Sequence, residues 1–176
     1  MVSYYGTFEF KDLVQAYDLY DIRRFPAKEK PYNKNSIMGY IENRPDFSLF
    51  SYLFKTAELD RRADEELFQS TLFLCPDSYL KQKYGEPFFM DLDRNTALSL
   101  LNHHILKRPI HQSTLLGRRV AILDTRNPRS TISLVNNNGK MVLNGDTNII
   151  SNEINVSNGI IYIVDSLMLP EQFMLL

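Results

Sequence analysis

Residues 152–170 read NEINVSNGIIYIVDSLMLP and predict a closing β-hairpin. Asn158 and Gly159 form a strong two-residue turn signal, because both residue types tolerate positive φ. Residues 160–164 are β-branched or aromatic throughout, which is typical of a strand buried on both faces. Pro170 is expected to end the pairing, since proline has no amide hydrogen to donate.

The chain around this hairpin has the size of one domain. Of its 176 residues 44% are apolar, which is enough for a substantial core. Its 20 Lys and Arg residues balance 21 Asp and Glu residues, so a nucleic-acid partner is not expected. No window approaches the roughly 18 apolar residues of a membrane helix, so membrane insertion is not expected either.

Two features bear on the compartment. Cys75 is the only cysteine, so an internal disulfide is excluded and a small core residue is the simplest interpretation. The first ten residues lack the basic and apolar regions of a signal peptide, which predicts an intracellular or virion location and no classical secretion. Asn155-Val156-Ser157 fits the glycosylation pattern, which matters only if the chain is secreted.

Residues 1–45 are predicted to form an N-terminal arm, extended or helical, with a short helix at about 10–24 and an irregular part after it. The arm is dense in aromatic residues, which suit a surface docked on another protein. The candidate interaction residues are Tyr4, Tyr5, Phe8, Phe10, Tyr17, Tyr20, Tyr32 and Tyr40. Two alternatives stay open, because the arm can also fold back over its own domain. Residues 171–176 are predicted to form a short apolar tail.

The middle of the chain alternates helix and strand signals. Asp46 is a candidate N-cap for a helix over 47–57, Asp77 or Ser78 for the next helix, and Asp93 for a helix over 94–106. Residues 71–76 predict a buried strand, and short strands follow at 120–123, 131–135 and 141–143. The pattern predicts an α+β fold in which the strands form a sandwich or wedge.

Three segments carry a resemblance to a known family. Asn-Gly, an apolar strand, Asp165 and Pro170 resemble the closing signature of the fasciclin domain, with Tyr162 where the family has His. Residues 71–76, TLFLCP, resemble its first signature, and residues 100–105, LLNHHI, resemble its Leu-Leu-x-Tyr-His-Val segment. The resemblance implies a fasciclin-like sandwich or wedge over 46–170, with helices packed at one side. Its structural signature residues are Pro76, His104, Asn158, Gly159, Asp165 and Pro170.

The sequence contains no convincing catalytic or metal-binding pattern. His103 and His104 are adjacent, so on a helix their side chains point about 100° apart and do not share a ligand. Gly-x-Ser-x-Gly elbows and glycine-rich phosphate loops are both missing. We therefore expect no enzymatic activity, no cofactor and no metal.

The resemblance implies a module for adhesion and protein–protein contact. The first hypothesis is a structural subunit that docks on other protein subunits within a larger assembly, with a minor capsid protein of a large DNA virus as its specific form. The alternative is a cell-surface or extracellular adhesion protein. Adhesion contacts that the family places around its Tyr-His segment would map to His103 and His104.

Overall fold

The computed structural model describes residues 30–170 and residue 173, and its main compact unit begins at Tyr32. The α+β class is confirmed. The α-helices are α1 Ile37–Glu42, α2 Ser48–Thr56, α3 Asp77–Lys83, α4 Glu86–Met90, α5 Arg94–Asn102 and α6 Gln112–Leu116, with short 3-10 helices at Pro45–Phe47, Arg62–Asp64 and Glu66–Phe68.

The strands form two open sheets. They are β1 Ser70–Leu74, β2 Ile105–Leu106, β3 Val120–Asp124, β4 Thr131–Asn137, β5 Lys140–Leu143, β6 Thr147–Asn148, β7 Ile154–Val156 and β8 Gly159–Ile163. The first sheet has the order β2-β1-β8-β7, and β1 and β8 are its parallel pair. The second sheet is antiparallel throughout, with the order β3-β4-β5-β6. Isolated bridges at Leu106–Thr125 and Ile149–Val164 link the two sheets.

Strand β8 lies at the centre of the core, as its residue types predict. Its first four residues are buried, and the ring of Tyr162 stacks on Phe73 at 5.9 Å between centroids. The Tyr162 hydroxyl donates to the carbonyl of Ile110 at 2.7 Å, which satisfies the one polar atom of this buried side chain. Helix α2 is the hub of the helical layer and contacts α1, α3, α4 and α5.

The closing hairpin is confirmed, but the reason given for its turn is wrong. Ser157 and Asn158 occupy the turn, Val156 pairs with Gly159, and neither Asn158 nor Gly159 has a positive φ. Gly159 is needed for close approach, because a Cβ there would lie 2.2 Å from the carbonyl oxygen of Ser70. This contact lies where β1 and β8 begin to pair.

Asn158 is a buried connector between distant parts of the chain. Its Oδ1 accepts from the backbone N–H of Ile37 at 2.8 Å, and its Nδ2 donates to the carbonyls of Ala63 and Glu65, each at 2.8 Å. The side chain is completely buried. The residue therefore fastens α1 and the segment after α2 to the closing hairpin.

Two of the predicted helix starts differ from the structure. Asp46 is exposed within a 3-10 helix and does not cap α2. Phe47 is the N-cap residue of α2, and its side chain makes no capping hydrogen bond. Asp77 provides the cap instead, accepting from the backbone N–H of Leu49 at 2.9 Å and of Ser48 at 3.2 Å. Asp77 is itself the first residue of α3, and α3 has no side-chain cap of its own.

Helix α5, which Asp93 caps, was only partly predicted. Asp93 accepts from the N–H of Thr96 at 2.8 Å, which confirms it as the cap. The helix ends at Asn102 rather than at 106, because Ile105 and Leu106 pair with β1 and continue the first sheet. His103 and His104 therefore lie in the link between helix and strand.

The stretch before residue 46 was predicted to be irregular, but it contains α1. Ser36 caps this helix by accepting from the N–H of Gly39, and Ile37, Met38 and Ile41 are buried. Ser36 also donates to Asp64 at 2.6 Å. Residues 32–44 are thus part of the compact unit. The helix predicted at about 10–24 lies outside the described residues.

The other signature residues have clear structural roles. The carbonyl of Pro76 accepts from the N–H groups of Tyr79 and Leu80 at the start of α3. Asp165 accepts from both the backbone N–H and the side-chain amide of Asn148, each at 2.9 Å, which ties the end of β8 to the second sheet. Pro170 is buried, and its carbonyl accepts from the N–H of Phe173.

Candidate interaction surface

Two of the predicted interaction tyrosines are described, and both pack on their own domain. The Tyr32 hydroxyl donates to Asp60 at 2.6 Å, and burial together with this bond raises the pKa of the phenol. Tyr40 is half-buried beneath the guanidinium of Arg44, 3.6 Å from the ring centroid. One side of Tyr40 still lines a surface groove beside Asn155. The other candidates, Tyr4, Tyr5, Phe8, Phe10, Tyr17 and Tyr20, lie outside the described residues.

The histidine pair does not form a contact surface. His104 is fully buried; its Nδ1 lies 2.8 Å from the carbonyl of Leu100, and its Nε2 accepts from the N–H of Met168 at 2.9 Å. His103 is 3% exposed, and its buried Nε2 has no hydrogen-bond partner among the described residues. Burial lowers the pKa of His103 to about 4 and that of His104 to about 3, so both are neutral at pH 7.

Ser130 lies against His103 in a pair that superficially resembles a nucleophile and its base. The Ser130 Oγ is 2.7 Å from His103 Nδ1 and 2.9 Å from the hydroxyl of Thr125. A working pair needs an orienting group on the second ring nitrogen and a pKa near 7, and His103 has neither. The contact joins the segment after α5 to the turn between β3 and β4.

Other reactive groups are also engaged or inert. Cys75 is buried, and burial raises the pKa of its thiol to about 12. Within residues 30–170 no cluster of three or more His, Cys, Asp or Glu side chains could hold a metal ion. The described helices also include none that is both long and apolar enough to cross a membrane.

A cleft between α2, α5 and the segment before β1 is lined by three arginines, two of which already have partners within the fold. Arg126 donates to the carbonyl of Phe68 at 2.8 Å and to Ser70 Oγ, and burial lowers the pKa of its guanidinium. Arg94 pairs with Glu58 at 3.1 Å. Arg62 is the third arginine in the lining.

The outer face of the second sheet carries exposed apolar side chains beside polar ones such as Asp124, Ser133 and Lys140. Val120 and Ile122 on β3 are 56% and 65% exposed, and Val135 on β4 is 41% exposed. Val120 pairs with Val135, and Val135 pairs with Val142 on β5, so β-branched side chains cross three strands in one row. The opposite face carries the buried residues Leu123, Ile132, Leu134, Met141 and Leu143. We call Val120, Val135 and Val142, together with Ile122, the next outward residue of β3, the outer valine face.

A groove runs along the free edge of β3. Strands β2 and β3 meet at the bridge between Leu106 and Thr125, where the backbone N–H of Arg126 donates to the carbonyl of Ile105 at 2.7 Å. Away from this bridge the two strands are not paired. The resulting groove has a volume of about 340 Å³ and is lined by Leu106, Lys107, Arg108, Ile110, Ile122, Leu123 and Asp124.

The wall of this groove opposite β3 is held in place. The Thr71 hydroxyl donates to the carbonyl of Arg108 at 2.8 Å and accepts from the N–H of Ile110 at 2.8 Å. The carbonyl of Ile110 accepts from Tyr162. The groove is therefore a preformed feature, supported by two side chains of the core.

Sequence reasoning found the strands of this surface but missed the surface itself. The alternation in residues 120–124 shows that β3 has two faces, but both faces carry apolar residues. Only the packing of the second sheet shows that the Leu123 face is covered and the Ile122 face is not.

Comparisons with known proteins agree with this architecture. The family model for the fasciclin domain matches residues 45–170. Among solved structures, a FAS1 domain pair from the insect cell adhesion molecule Fasciclin I is similar, with a TM-score of 0.64 and 20% identity. The alignment covers 78% of this chain and 52% of that one, so the chain spans about half of its structural neighbour. None of the curated proteins compared matches the chain.

Proposed function

Since the chain belongs to the fasciclin domain family, we propose that it is a non-enzymatic protein–protein interaction module that docks on other protein subunits. The observation that carries the proposal is the outer valine face. Uncovered β-branched residues in a contiguous row are typical of a surface that another protein covers. Burying the exposed side chains of Val120, Ile122 and Val135 would remove apolar surface from water. Each Å² of apolar surface buried contributes about 25 cal/mol to the free energy of binding.

The setting we propose is a multi-protein assembly inside the cell or in a virion, such as the minor capsid of a large DNA virus. Two features support it. The fold contains Cys75 as a buried free thiol, which suits a reducing compartment. Residues 1–45 are rich in tyrosine, a residue type enriched where proteins dock on one another.

The second candidate is an extracellular adhesion protein, and a specific observation favours it. Asn155 of the Asn155-Val156-Ser157 glycosylation pattern is exposed on β7, an edge strand of the first sheet, so a glycan could be accommodated there. The similar solved structure comes from an adhesion molecule.

Sedimentation of native source material, followed by mass spectrometry of each fraction, separates the two candidates. Co-migration of the chain with a large multi-protein particle, with Asn155 unmodified, is the result expected for an assembly subunit. A membrane-associated chain with a glycan on Asn155 would support adhesion instead. A slow-sedimenting single chain without a glycan would contradict both.

A pair of variants tests whether the outer valine face is the docking surface. The double variant Ile122→Ser/Val135→Ser removes two exposed apolar side chains and should leave stability within about 1 kcal/mol of wild type. We expect the double variant to be absent from the gradient fraction that contains the multi-protein particle. Ile150→Ser is the matched control, because Ile150 is 47% exposed and does not belong to the face. Equal sedimentation of the double variant and the control would refute this surface.

A further inference from the structure

We infer that the free edge of β3 accepts an extended, acidic segment of a partner protein, which pairs with β3 as an added strand of the second sheet. The inference rests on the proposed function and specifies its partner: the docking subunit contributes a strand whose side chains alternate between apolar and acidic. Strand addition draws its affinity from main-chain hydrogen bonds and its specificity from alternate side chains.

The backbone of β3 offers unpaired groups along this edge. The carbonyl of Arg119 accepts from the N–H of Asn136 at 2.8 Å. The backbone N–H and C=O groups of residues 119, 121 and 123 therefore point towards β4. In an antiparallel pair the intervening residues direct their N–H and C=O groups the opposite way. Val120 and Ile122 therefore present donors and acceptors at the free edge, Ile122 lines the groove, and no described group bonds to the backbone of Ile122.

The groove has the shape that an added strand needs. The N–H of Arg126 points in the same direction as those of Val120 and Ile122, and it is already paired with the carbonyl of Ile105 on β2. The edge of β3 is thus covered at one end and open along the rest. Ile110, which is partly exposed, and Ile122 supply apolar surface for alternate side chains of the incoming strand.

The charges around the groove select an acidic partner. Lys107 and Arg108 line the wall, and Arg118 and Arg119 lie just before β3; all four are exposed, and among the described residues none forms an ion pair. Asp124 is the single acidic residue of the lining. Pairing with a second copy of this chain would bring the basic residues of two grooves together, and the repulsion between like charges disfavours this. A partner strand carrying Glu or Asp would neutralise them.

The probe is a fluorescently labelled peptide of about seven residues, a typical strand length, in which Val alternates with Glu. We expect saturable binding by fluorescence anisotropy, with slower hydrogen exchange at the amides of Val120 and Ile122. Binding should weaken as salt increases. The same peptide with Lys in place of Glu should bind at least about tenfold more weakly, because Lys107 and Arg108 line the groove and would repel it.

Two controls test the pairing and the charge separately. Methylating two adjacent central amides of the peptide blocks both of its edges, since successive N–H groups point in opposite directions, and should abolish binding. Lys107→Glu/Arg108→Glu should reverse the preference between the Glu and Lys peptides. Lys81→Glu, an exposed change on α3, should leave the preference unchanged.

Several results would overturn the inference: equal affinity for the Glu and Lys peptides, undiminished binding of the methylated peptide, or unchanged exchange at Ile122 at about 1 mM peptide, a concentration that detects even weak complexes. The native assembly distinguishes this failure from failure of the proposed function. If wild type does not sediment with other proteins, the proposed function fails. If wild type and Lys107→Glu/Arg108→Glu sediment equally in the assembly, only the strand-addition inference fails.

Discussion

Replacing Asn158 by Ala should detach α1 and the segment around Ala63 from the closing hairpin. The substitution removes three hydrogen bonds: two buried ones, to the N–H of Ile37 and the carbonyl of Ala63, and a partly buried one to the carbonyl of Glu65. The Glu65 carbonyl would keep its bond from the N–H of Phe68, but the groups of Ile37 and Ala63 would lose the bonds that Asn158 makes. Because the Asn158 side chain is fully buried, water cannot readily replace the lost hydrogen bonds.

The expected loss follows from these two orphaned groups. Each buried polar group left without a partner costs about 1–3 kcal/mol, so the free energy of unfolding should fall by about 4 kcal/mol. Domains of this size have a total stability of about 5–15 kcal/mol, so the variant should remain folded only marginally. With a urea m-value of about 2 kcal/mol/M, the midpoint of denaturation should fall by about 2 M.

Urea denaturation followed by circular dichroism measures this shift. Asn155→Ala is the matched control, because Asn155 lies in the same hairpin and is exposed; its variant should stay within about 0.5 kcal/mol of wild type. An Asn158→Ala midpoint indistinguishable from that of the control would refute the connector role.

Asn158→Asp tests the same site by charge without changing the shape of the side chain. One carboxylate oxygen would face the carbonyls of Ala63 and Glu65, so burial and these dipoles would raise the pKa of the new Asp above its unfolded value of about 3.9. The penalty is therefore smallest below about pH 4 and grows as the pH rises through the raised pKa. A pH-independent stability difference from wild type would contradict this geometry.

Three further substitutions test other parts of the fold by the same denaturation assay. Gly159→Ala should cost about 3 kcal/mol or more, because the new Cβ would collide with backbone at the β1–β8 pairing, and a loss below about 1 kcal/mol would refute the contact. His103 and His104 have pKa values below their unfolded value of about 6.5, so stability should fall as the pH falls from 6.5 towards 4, and His103→Phe should remove about half of that loss. Asp77→Ala should cost about 1–2 kcal/mol and Asp46→Ala almost nothing, whereas the reverse order would favour the local cap over the distant one.

The elements that the sequence predicted well are those set by local patterns. The buried strand β8, the Asp93 cap and the order of short strands all follow from residue types and their spacing. The fold class followed from the same patterns together with the family signatures. In these segments the residues that decide the structure are neighbours in the chain.

Two of the misses, the cap of α2 and the role of Asn158, involve partners distant in the chain. Asp77 caps a helix whose first turn lies 28 residues earlier, and a nearby Asp46 hid this from a local reading. Asn158 resembled a turn residue, but its side chain is bonded to groups 121, 95 and 93 residues away. Asparagine is common in turns, but at position 158 it is needed because its amide can both accept and donate buried hydrogen bonds.

The candidate surface was missed because patterns do not show what covers a face. His103 and His104 attracted attention through the family segment, yet both are buried. The outer valine face has the composition of a core strand, and only the packing around it shows that it is open.

Hydrogen exchange of the chain in its native assembly and in isolation tests the central claim most directly. The measurement follows the backbone amides of residues 120–124, which belong to the uncovered edge strand β3. If the outer valine face and this edge are the docking surface, these amides should exchange more slowly in the assembly than in the isolated chain, and those of exposed α3 residues should not change. Equal exchange of residues 120–124 in both states would contradict the account.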